Sequence, residues 1–540
     1  MNMNKIINKC LIPASAIAAA LAASCTANYQ EINSDPYGVT QDELQRDGYI
    51  IKAALTGIAD GVISPDVNTT QFTECLLGGP MAGYMADANA GFANTISNYN
   101  ATDNWTNVFM QSDRMMPVVY TNYNQLRNVT DNPVILAVGD IVKVAAMHRV
   151  CDTYGPIPYS KIGQDGKLQV EYDSQETVYK TMIQELTDAV EVLLPNRTNN
   201  FAPTADIIYG GKTEKWIKFA NSLKLRLAMR ISYAAPELSK NAAEEAVNNE
   251  VGVFTSNDDN ARVTTFGVDG NPINVAVHYN MAKHSDGAVC QTGGDSHAAA
   301  DIICYMNGYN DPRRKAYFTE SEWGEGFEYT GLRHGIIIPD HSGIGHKYSG
   351  VKIAADSPIY WMNAAEVAFL KAEAAAVFGY DMGGNARDFY EEGIRLSFEQ
   401  WGAGDASAYL ADGSSIPQVY LDPAGTNTYS QALSGITVAW NDAADKEEMQ
   451  ERIITQKWIA NWLLGNESWA DWRRTGYPHL IPASDAGNKS NGVVDSNSGA
   501  RRMPYPRDEY INNPSNISKA VSEYLKGADN MATKLWFDCK

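Results

Sequence analysis

The chain has 540 residues, of which 44% are hydrophobic and 20% are charged. This share of apolar side chains is enough for a large buried core and excludes an intrinsically disordered chain. With 43 basic and 64 acidic residues, the formal net charge is −21. A surface this negative repels phosphate backbones, so nucleic acid is excluded as a natural partner.

Residues 1–24 have the pattern of a secretory signal. A start that carries Lys5 and Lys9 is followed by an alanine-rich apolar run that ends at Cys25. The run is shorter than the roughly 20 residues of a bilayer-spanning helix, which favours a cleaved signal over an anchor helix. Residues 21–25 (LAASC) resemble a bacterial lipobox, which implies that Cys25 is acylated and anchors the protein to a membrane. Ordinary cleavage that leaves Cys25 free is the alternative.

Helical periodicity dominates the rest of the chain and falls into two blocks. Apolar residues recur every three to four positions in seven segments, namely residues 136–154, 174–194, 214–233 and 236–248 in the first block and 361–375, 386–401 and 446–464 in the second. The last of these segments, residues 446–464, is expected to form a helix that ends at Gly465. Small residues along 361–375, which include Ala365 and Ala372, would let a partner helix approach closely, as in stacked helical hairpins.

Long irregular excursions interrupt the helices. They are rich in Gly, Asn and Asp and cover about residues 255–350, 407–442 and 484–502. Loops of this length in a compact protein commonly carry function. We expect residues 25–45 to be a polar tether and residues 46–540 to be one helical domain, because no Pro/Ser-rich linker separates the blocks.

Two patterns in the first excursion imitate reactive sites. Ser296 lies in GDSHA, but no strongly buried strand precedes it, so we expect a helix N-cap rather than a nucleophile. Six of the eight histidines lie between residues 278 and 346, without a His-Glu-x-x-His helix. Flexible loops orient metal ligands poorly, so neither a metal nor another cofactor is predicted.

The cysteines indicate no redox motif. Five remain beyond the signal and Cys25, and no Cys-x-x-Cys pair occurs. We expect all five to be buried thiols, with a disulfide between Cys290 and Cys304 as the alternative. They are Cys75, Cys151, Cys290, Cys304 and Cys539.

Several motifs resemble one protein family. Residues 453–478, which include GNESWADWRRTGYP, closely resemble the C-terminal motif of the SusD/RagB-like nutrient-binding outer-membrane lipoproteins of Bacteroidetes. Residues 152–159 (DTYGPIPY), 216–227 and 534–538 (KLWFD) also fit, although Phe537 stands where the family often has Trp. Together with the lipobox, the resemblance covers nearly the whole mature chain.

The resemblance implies a mainly α fold, a right-handed superhelix of four tetratricopeptide-like helical hairpins whose long loops bind the ligand. It also implies that Trp469, Trp472, Arg473 and Arg474 are scaffold residues, with the Arg side chains paired to helix acids. Ligand contacts are therefore expected on the excursions, where aromatic faces can stack on sugar rings. The candidates are Tyr84, Tyr99, Tyr279, Trp323 and Tyr329.

Trp323 is the leading candidate, because the polar and glycine residues around it disfavour burial in a core. A loop anchor that plugs the scaffold is the alternative for this residue.

The family implies a non-catalytic lipoprotein of the outer membrane, exposed at the cell surface. It would capture oligosaccharides and deliver them to a SusC-like TonB-dependent transporter. A RagB-like peptide-binding protein is the first alternative, since the acidic residues 320–328 would favour cationic peptides. A surface glycoside hydrolase with loop carboxylates is the second.

Overall fold

Helices make up about half of the described residues, and long irregular segments separate several of them. The computed structural model describes residues 48–88, 90, 96–110, 115–163, 169–264, 296–339, 344–353 and 357–540. Residues Ile51–Lys540 form one compact unit, and of the other unit, Met1–Ile50, only residues 48–50 are described. None of the described helices is both long enough and apolar enough to cross a lipid bilayer.

The α-helices of nine or more residues are numbered here in chain order. They are α1 (Tyr49–Asp60), α2 (Met115–Val129), α3 (Pro133–Tyr154), α4 (Gln175–Leu193), α5 (Thr213–Arg230), α6 (Pro236–Asn248), α7 (Ala300–Gly308), α8 (Ala364–Glu373), α9 (Ala386–Gln400), α10 (Lys446–Ala460) and α11 (Gly465–Thr475). Shorter α-helices cover Val67–Thr70, Gly79–Met81, Asp103–Thr106, Arg314–Tyr317, Ser407–Leu410, Arg507–Asn512 and Pro514–Lys519. Wider π-helical turns cover Gln71–Gly78, Ala374–Phe378 and Ala520–Leu525, and 3₁₀ turns cover Ile96–Asn98, Leu194–Asn196, Asn257–Asp259 and Gly345–Lys347.

The described strands are short and form two antiparallel pairs. They are β1 (Met85–Asp87), β2 (Ala261–Val263), β3 (Ser296–Ala298) and β4 (Ile359–Met362). β1 pairs with β3, with Ala86 opposite His297, and β2 pairs with β4. Each pair joins segments that are about 100 or more residues apart in the chain and so fastens an excursion to the helices.

Successive helices pack in pairs along the chain. In the first block α2 packs on α3, α3 on α4, α4 on α5 and α5 on α6, and in the second α8 packs on both α9 and α10. Helix starts agree with their capping residues, because the side chains of Ser174 and Asn363 accept backbone N–H bonds in the first turns of α4 and α8. The predicted mainly α architecture of stacked helical hairpins is confirmed.

A short turn separates α10 from α11, and at this turn one predicted helix limit was wrong. α10 ends at Ala460, Leu463 has a φ of +75°, and Gly465 begins α11 instead of ending α10. A Cβ atom at Gly465 would lie 2.4 Å from the backbone of Gly78, so only glycine allows these two segments to touch. Two further differences concern strands, since Trp361 lies in β4 and Ser296 lies in β3.

Candidate functional site

The leading candidate, Trp323, lies on a loop whose two ends are fixed to the fold. This segment, residues 318–332, is called the Trp323 loop. Phe318 pairs with Val351 and Leu332 pairs with Ala299 through isolated bridges. Within the loop, the Ser321 amide donates to the carbonyl of Glu328 at 2.8 Å. The backbone between these two residues therefore projects as a closed turn.

Two glycines permit that turn. Gly324 and Gly326 have φ values of +89° and +84°, in the left-handed region, and no atom lies within 4 Å of a Cβ built on either. The Trp323 amide donates to Ser321 Oγ at 3.2 Å, and the Glu322 amide donates to the carbonyl of Lys347 at 2.8 Å. These bonds fix the backbone on which the indole ring is carried.

The indole ring of Trp323 is half-buried. It packs against a small apolar cluster separate from the main core. It meets the ring of Tyr348 edge to face at 5.6 Å between centroids, and the Nζ atom of Lys347 lies 5.1 Å from its centre. The Tyr348 hydroxyl donates to Asp422 at 2.6 Å, and burial together with this carboxylate raises the pKa of Tyr348. The ring is thus held firmly while part of it stays exposed.

Tyr329 lies on the same loop and is also half-buried. The guanidinium of Arg314 lies 4.5 Å from the centre of its ring, a cation–π contact. The side-chain Nδ2 of Asn307 on α7 donates to the backbone carbonyl of Tyr329 at 2.9 Å. Trp323 and Tyr329 are therefore the two candidates that the structure places on one loop with exposed aromatic surface.

Tyr84 and Tyr99 lie inside the scaffold rather than on a ligand loop. Tyr84 has no exposed surface, because its ring stacks on Trp458 and its hydroxyl bonds to the Trp458 carbonyl and to Ser468 Oγ. Tyr99 is 6% exposed and lines a cavity of about 30 Å³ that also contacts Trp472. Turn-rich neighbouring sequence predicted loops here, but these two rings fill gaps between packed elements and offer no face to a ligand.

Other predicted positions have mixed outcomes. The signal, Cys25, the whole tether, Tyr279 and Cys290 lie outside the described residues. Cys151 and Cys304 are buried free thiols, as expected, whereas Cys539 is exposed near the C-terminus. Ser296 was expected to cap a helix, but it is buried in β3 and the N-cap of α7 is Ala299.

Buried ion pairs join the helices, and the C-terminal motif supplies one partner of some of them. Arg226 on α5 donates to both oxygens of Glu366 on α8, at 2.7 and 2.6 Å. Arg474 on α11 donates to both carboxylate oxygens of Glu373, also on α8, at 2.7 and 2.8 Å. All four side chains are almost fully buried. Two-pronged pairs of this kind fix both the distance and the orientation of the helices they join.

A third arginine extends this arrangement. Arg230 on α5 pairs with Glu467 and with Asp471 on α11, the latter at 3.0 Å, and lies 3.5 Å from Asp152 on α3. Lys457 on α10 pairs with Asp471 at 2.5 Å. The nine charged side chains named in this and the preceding paragraph are called the ion network. It connects α3, α5, α8, α10 and α11.

Burial agrees with the scaffold prediction for Trp469, Arg473 and Arg474. Arg474 pairs with helix acids as expected, whereas Arg473 donates to the backbone carbonyls of Asp152 and Arg501. Trp469 is fully buried, its Nε1 donates to the carbonyl of Ala500 at 3.0 Å, and the guanidinium of Arg473 lies 3.8 Å from its ring. Trp472 is half-buried, and the guanidinium of Arg501 lies 5.1 Å from its ring. Both rings pack against arginine side chains of the fold, and the ring of Trp469 is completely enclosed.

One group of buried side chains has the composition of a metal site. Ligand atoms of His148, Asp152 and Glu467 lie within 4.8 Å of one another. The carboxylates already face the guanidinium groups of Arg226 and Arg230, at 3.5 to 3.6 Å for two of the contacts. A divalent cation bound to these side chains would be repelled by the guanidinium groups of Arg226 and Arg230. The three side chains therefore fit the ion network better than they fit a metal site.

Burial controls the protonation of this group. Burial, reinforced by Arg226, lowers the pKa of His148 to about 3, so the imidazole is neutral. Burial raises the pKa of Asp152 to about 6, against the opposing effect of Arg230. Sequence analysis missed this group, although His148 and Asp152 are four residues apart and therefore share one face of α3.

The histidines of the first excursion do not converge where they are described. His297 is buried in β3, His334 Nδ1 lies 3.0 Å from Asp301, and His346 Nε2 lies 3.3 Å from Glu322. His278, His284 and His341 lie outside the described residues.

Stacked helical hairpins that share an internal ion network and carry long aromatic loops define a class of helical binding scaffolds. The family model described as "SusD-like: Susd and RagB outer membrane lipoprotein" matches residues 31–538. The chain therefore belongs to the SusD-like family of outer membrane lipoproteins.

Solved structures agree with this assignment. A SusD homologue from Bacteroides uniformis ATCC 8492 is 56% identical, with 91% of this chain and 100% of that chain aligned at a TM-score of 0.86. A SusD homologue from Bacteroides ovatus ATCC 8483 is 39% identical, with 92% and 100% aligned at a TM-score of 0.82. A chitin-binding SusD homologue from Flavobacterium johnsoniae is 34% identical, with 91% and 99% aligned at 0.81. No curated protein matches the chain significantly.

Proposed function

We propose that this protein is an outer-membrane lipoprotein that captures neutral oligosaccharides and delivers them, uncleaved, to a SusC-like TonB-dependent transporter. Membership of the SusD-like family supports a lipid-anchored binding protein. A relative with 34% identity over 91% of this chain is described as chitin-binding, which supports carbohydrate as the ligand class.

The observation that carries the proposal is the half-exposed indole of Trp323 on its glycine-bounded turn. The C–H groups of a sugar ring present an apolar, slightly positive surface that stacks on an aromatic face. Tyr348 and Lys347 fix the indole in place, so little side-chain entropy is lost when a ligand binds. Tyr329 offers a second aromatic surface on the same loop.

The anchor follows from the N-terminal sequence. Acylation of Cys25 would hold the protein at the outer membrane, and the polar residues 25–45 would separate the folded domain from the lipid surface. One acyl chain binds membranes only weakly, so stable attachment needs more than one chain. We place the folded domain at the cell surface, above the transporter.

A cationic peptide is the second candidate ligand. The turn that carries Trp323 also carries Glu322, Glu325 and Glu328, which are exposed. Their negative charges would attract basic peptides, whereas a neutral sugar carries no charge for them to attract.

Calorimetry with the purified full-length lipoprotein in detergent separates these ligands. The titrants are maltohexaose, cellohexaose, xylohexaose and chitohexaose, with a tryptic-peptide pool as the competing class. We expect saturable binding of at least one hexasaccharide and its full recovery by mass spectrometry after overnight incubation. Peptide binding without sugar binding would support the second candidate, and shortened sugar chains would identify a hydrolase.

A further inference from the structure

A second concave surface, lined by residues of the C-terminal half, shares no residue with the Trp323 loop. It is an open cleft of about 630 Å³, far larger than the cavity of about 30 Å³ beside Tyr99. We call it the Arg452 cleft. Its lining includes Gly413, Gly435, Trp440, Glu448, Glu451 and Arg452. None of these residues belongs to the Trp323 loop, and a cleft of this volume accommodates a ligand of several sugar units.

Arg452 supplies a buried positive charge to the cleft. Its side chain is only 3% exposed. Nη2 pairs with Glu448 at 2.8 Å, and Nε donates to the carbonyl of Thr437 at 3.2 Å. Nη1 is buried and has no acceptor among the described residues. A buried donor without an acceptor is unfavourable, so a turn of the guanidinium toward a ligand oxygen in the cleft would relieve this cost.

Trp440 supplies an apolar surface with a fixed orientation. The indole is half-buried and packs on the ring of Tyr390, with 5.3 Å between centroids. Its Nε1 donates to Asp442 at 2.8 Å. The ring is therefore held from two directions before any ligand arrives.

The acidic side chains complete a mixed set of donors and acceptors. The side chains of Glu448 and Glu451 are 41% and 17% exposed. A sugar hydroxyl both donates and accepts hydrogen bonds, so one ring can accept from Arg452 and donate to these carboxylates. An anionic ligand would instead meet two negative charges close to a single positive one, which disfavours it.

We propose that the Arg452 cleft is a second carbohydrate site, which binds a pyranose unit of a neutral oligosaccharide by stacking on Trp440 and by hydrogen bonds to Arg452, Glu448 and Glu451. This inference rests on the proposed function, because it assumes that the ligand is a neutral glycan. Two separate sites on one chain would raise the overall affinity for long glycans through their effective concentration.

The test is calorimetry on full-length variants with the same four hexasaccharides. Trp440→Ala should weaken binding of the preferred sugar at least fivefold, and Glu451→Gln, which preserves the shape of the side chain, should weaken it at least threefold. The matched control is Trp536→Ala, since Trp536 is also half-buried and packs on Tyr179 outside the cleft. This control should stay within twofold of the unaltered protein.

The outcomes separate the two proposals. If Trp440→Ala and Glu451→Gln bind the sugar as tightly as the control does, while Trp323→Ala binds it more weakly, the cleft is not a sugar site and the proposed function stands. If no hexasaccharide binds the unaltered protein, both proposals fail. If the two cleft variants lose only binding of basic peptides, the ligand class assigned to the cleft is wrong. If Trp440→Ala fails to fold, Glu451→Gln decides.

Discussion

The ion network and the Trp323 loop differ in the burial and the bonding of their most characteristic side chains. In the ion network, the side chains of Arg474 and Glu373 have no exposed surface and are joined by two hydrogen bonds. In the loop, the indole of Trp323 is only half-buried and sits on a turn that two glycines make possible. The most recognisable sequence motif therefore specifies how helices join, whereas the surface that we propose to face the ligand is encoded by a short polar segment.

Removal of one partner from the ion network should have the largest effect. Arg474→Met leaves Glu373 and Asp471 buried with less compensation, and loss of one partner from a buried pair costs about 3–5 kcal/mol. We expect this loss in the free energy of unfolding, measured by urea titration. The control is Arg387→Met, whose ion pair with Glu391 is solvent-exposed and contributes little.

Equal stability of Arg474→Met and Arg387→Met would show that the network contributes no more than a surface pair. The comparison of the two regions would then lose its basis.

His148→Gln should alter the pH dependence of stability. Burial lowers the pKa of His148 to about 3 in the folded state, whereas an unfolded histidine titrates near pH 6.5. The stabilisation from the neutral imidazole is therefore complete above pH 6.5 and is lost as the pH falls toward 3. At 1.36 kcal/mol per pH unit, the unaltered protein should lose about 3 kcal/mol through this group between pH 6.5 and pH 4.

Asp152 acts in the opposite direction and serves as an internal check. Its folded pKa of about 6 exceeds the unfolded value, so its contribution is present at low pH and is lost as the pH rises through 6. Of these two contributions to the pH dependence of stability, only that of Asp152 remains in His148→Gln. Urea titrations at pH 6.5 and pH 4 should show a smaller acid destabilisation in the variant, and identical pH dependences would contradict the assignment.

Gly326→Ala should have the smallest effect and tests the loop. No atom obstructs a Cβ atom at Gly326, so the cost is the backbone strain of a φ of +84°, about 1 kcal/mol. The strain should shift the turn and weaken sugar binding about threefold in calorimetry. Gly326→Asn is the matched control, because Asn tolerates this backbone region better, and an equal loss in both variants would point to the added side chain instead.

The sequence predicted the helices well because their signals are local. The first-turn proline of α6 and the cap at Ser174 set helix starts from neighbouring residues alone. The resemblance to a known family then identified which motif residues form the scaffold.

Contacts between segments that are far apart in the chain could not be predicted from the sequence. Ser296 is in a strand because it pairs with Asp87, more than 200 residues earlier. Tyr84 is buried because its partners, Trp458 and Trp462, lie in the C-terminal half of the chain. The Arg452 cleft likewise depends on the 407–442 excursion folding back on α10, and no local pattern indicated it.

The central claim is that the loops bind the ligand and the tryptophan motif holds the scaffold together. The most direct measurement compares Trp323→Ala and Trp469→Ala for both sugar affinity and free energy of unfolding. Trp323→Ala should weaken binding at least tenfold and lower stability far less than Trp469→Ala does, because the ring of Trp323 is only half-buried. Trp469 is fully buried, so Trp469→Ala should lose about 3 kcal/mol of stability and bind within twofold of the unaltered protein. The reverse pattern, with affinity lost in Trp469→Ala and unchanged in Trp323→Ala, would contradict the claim.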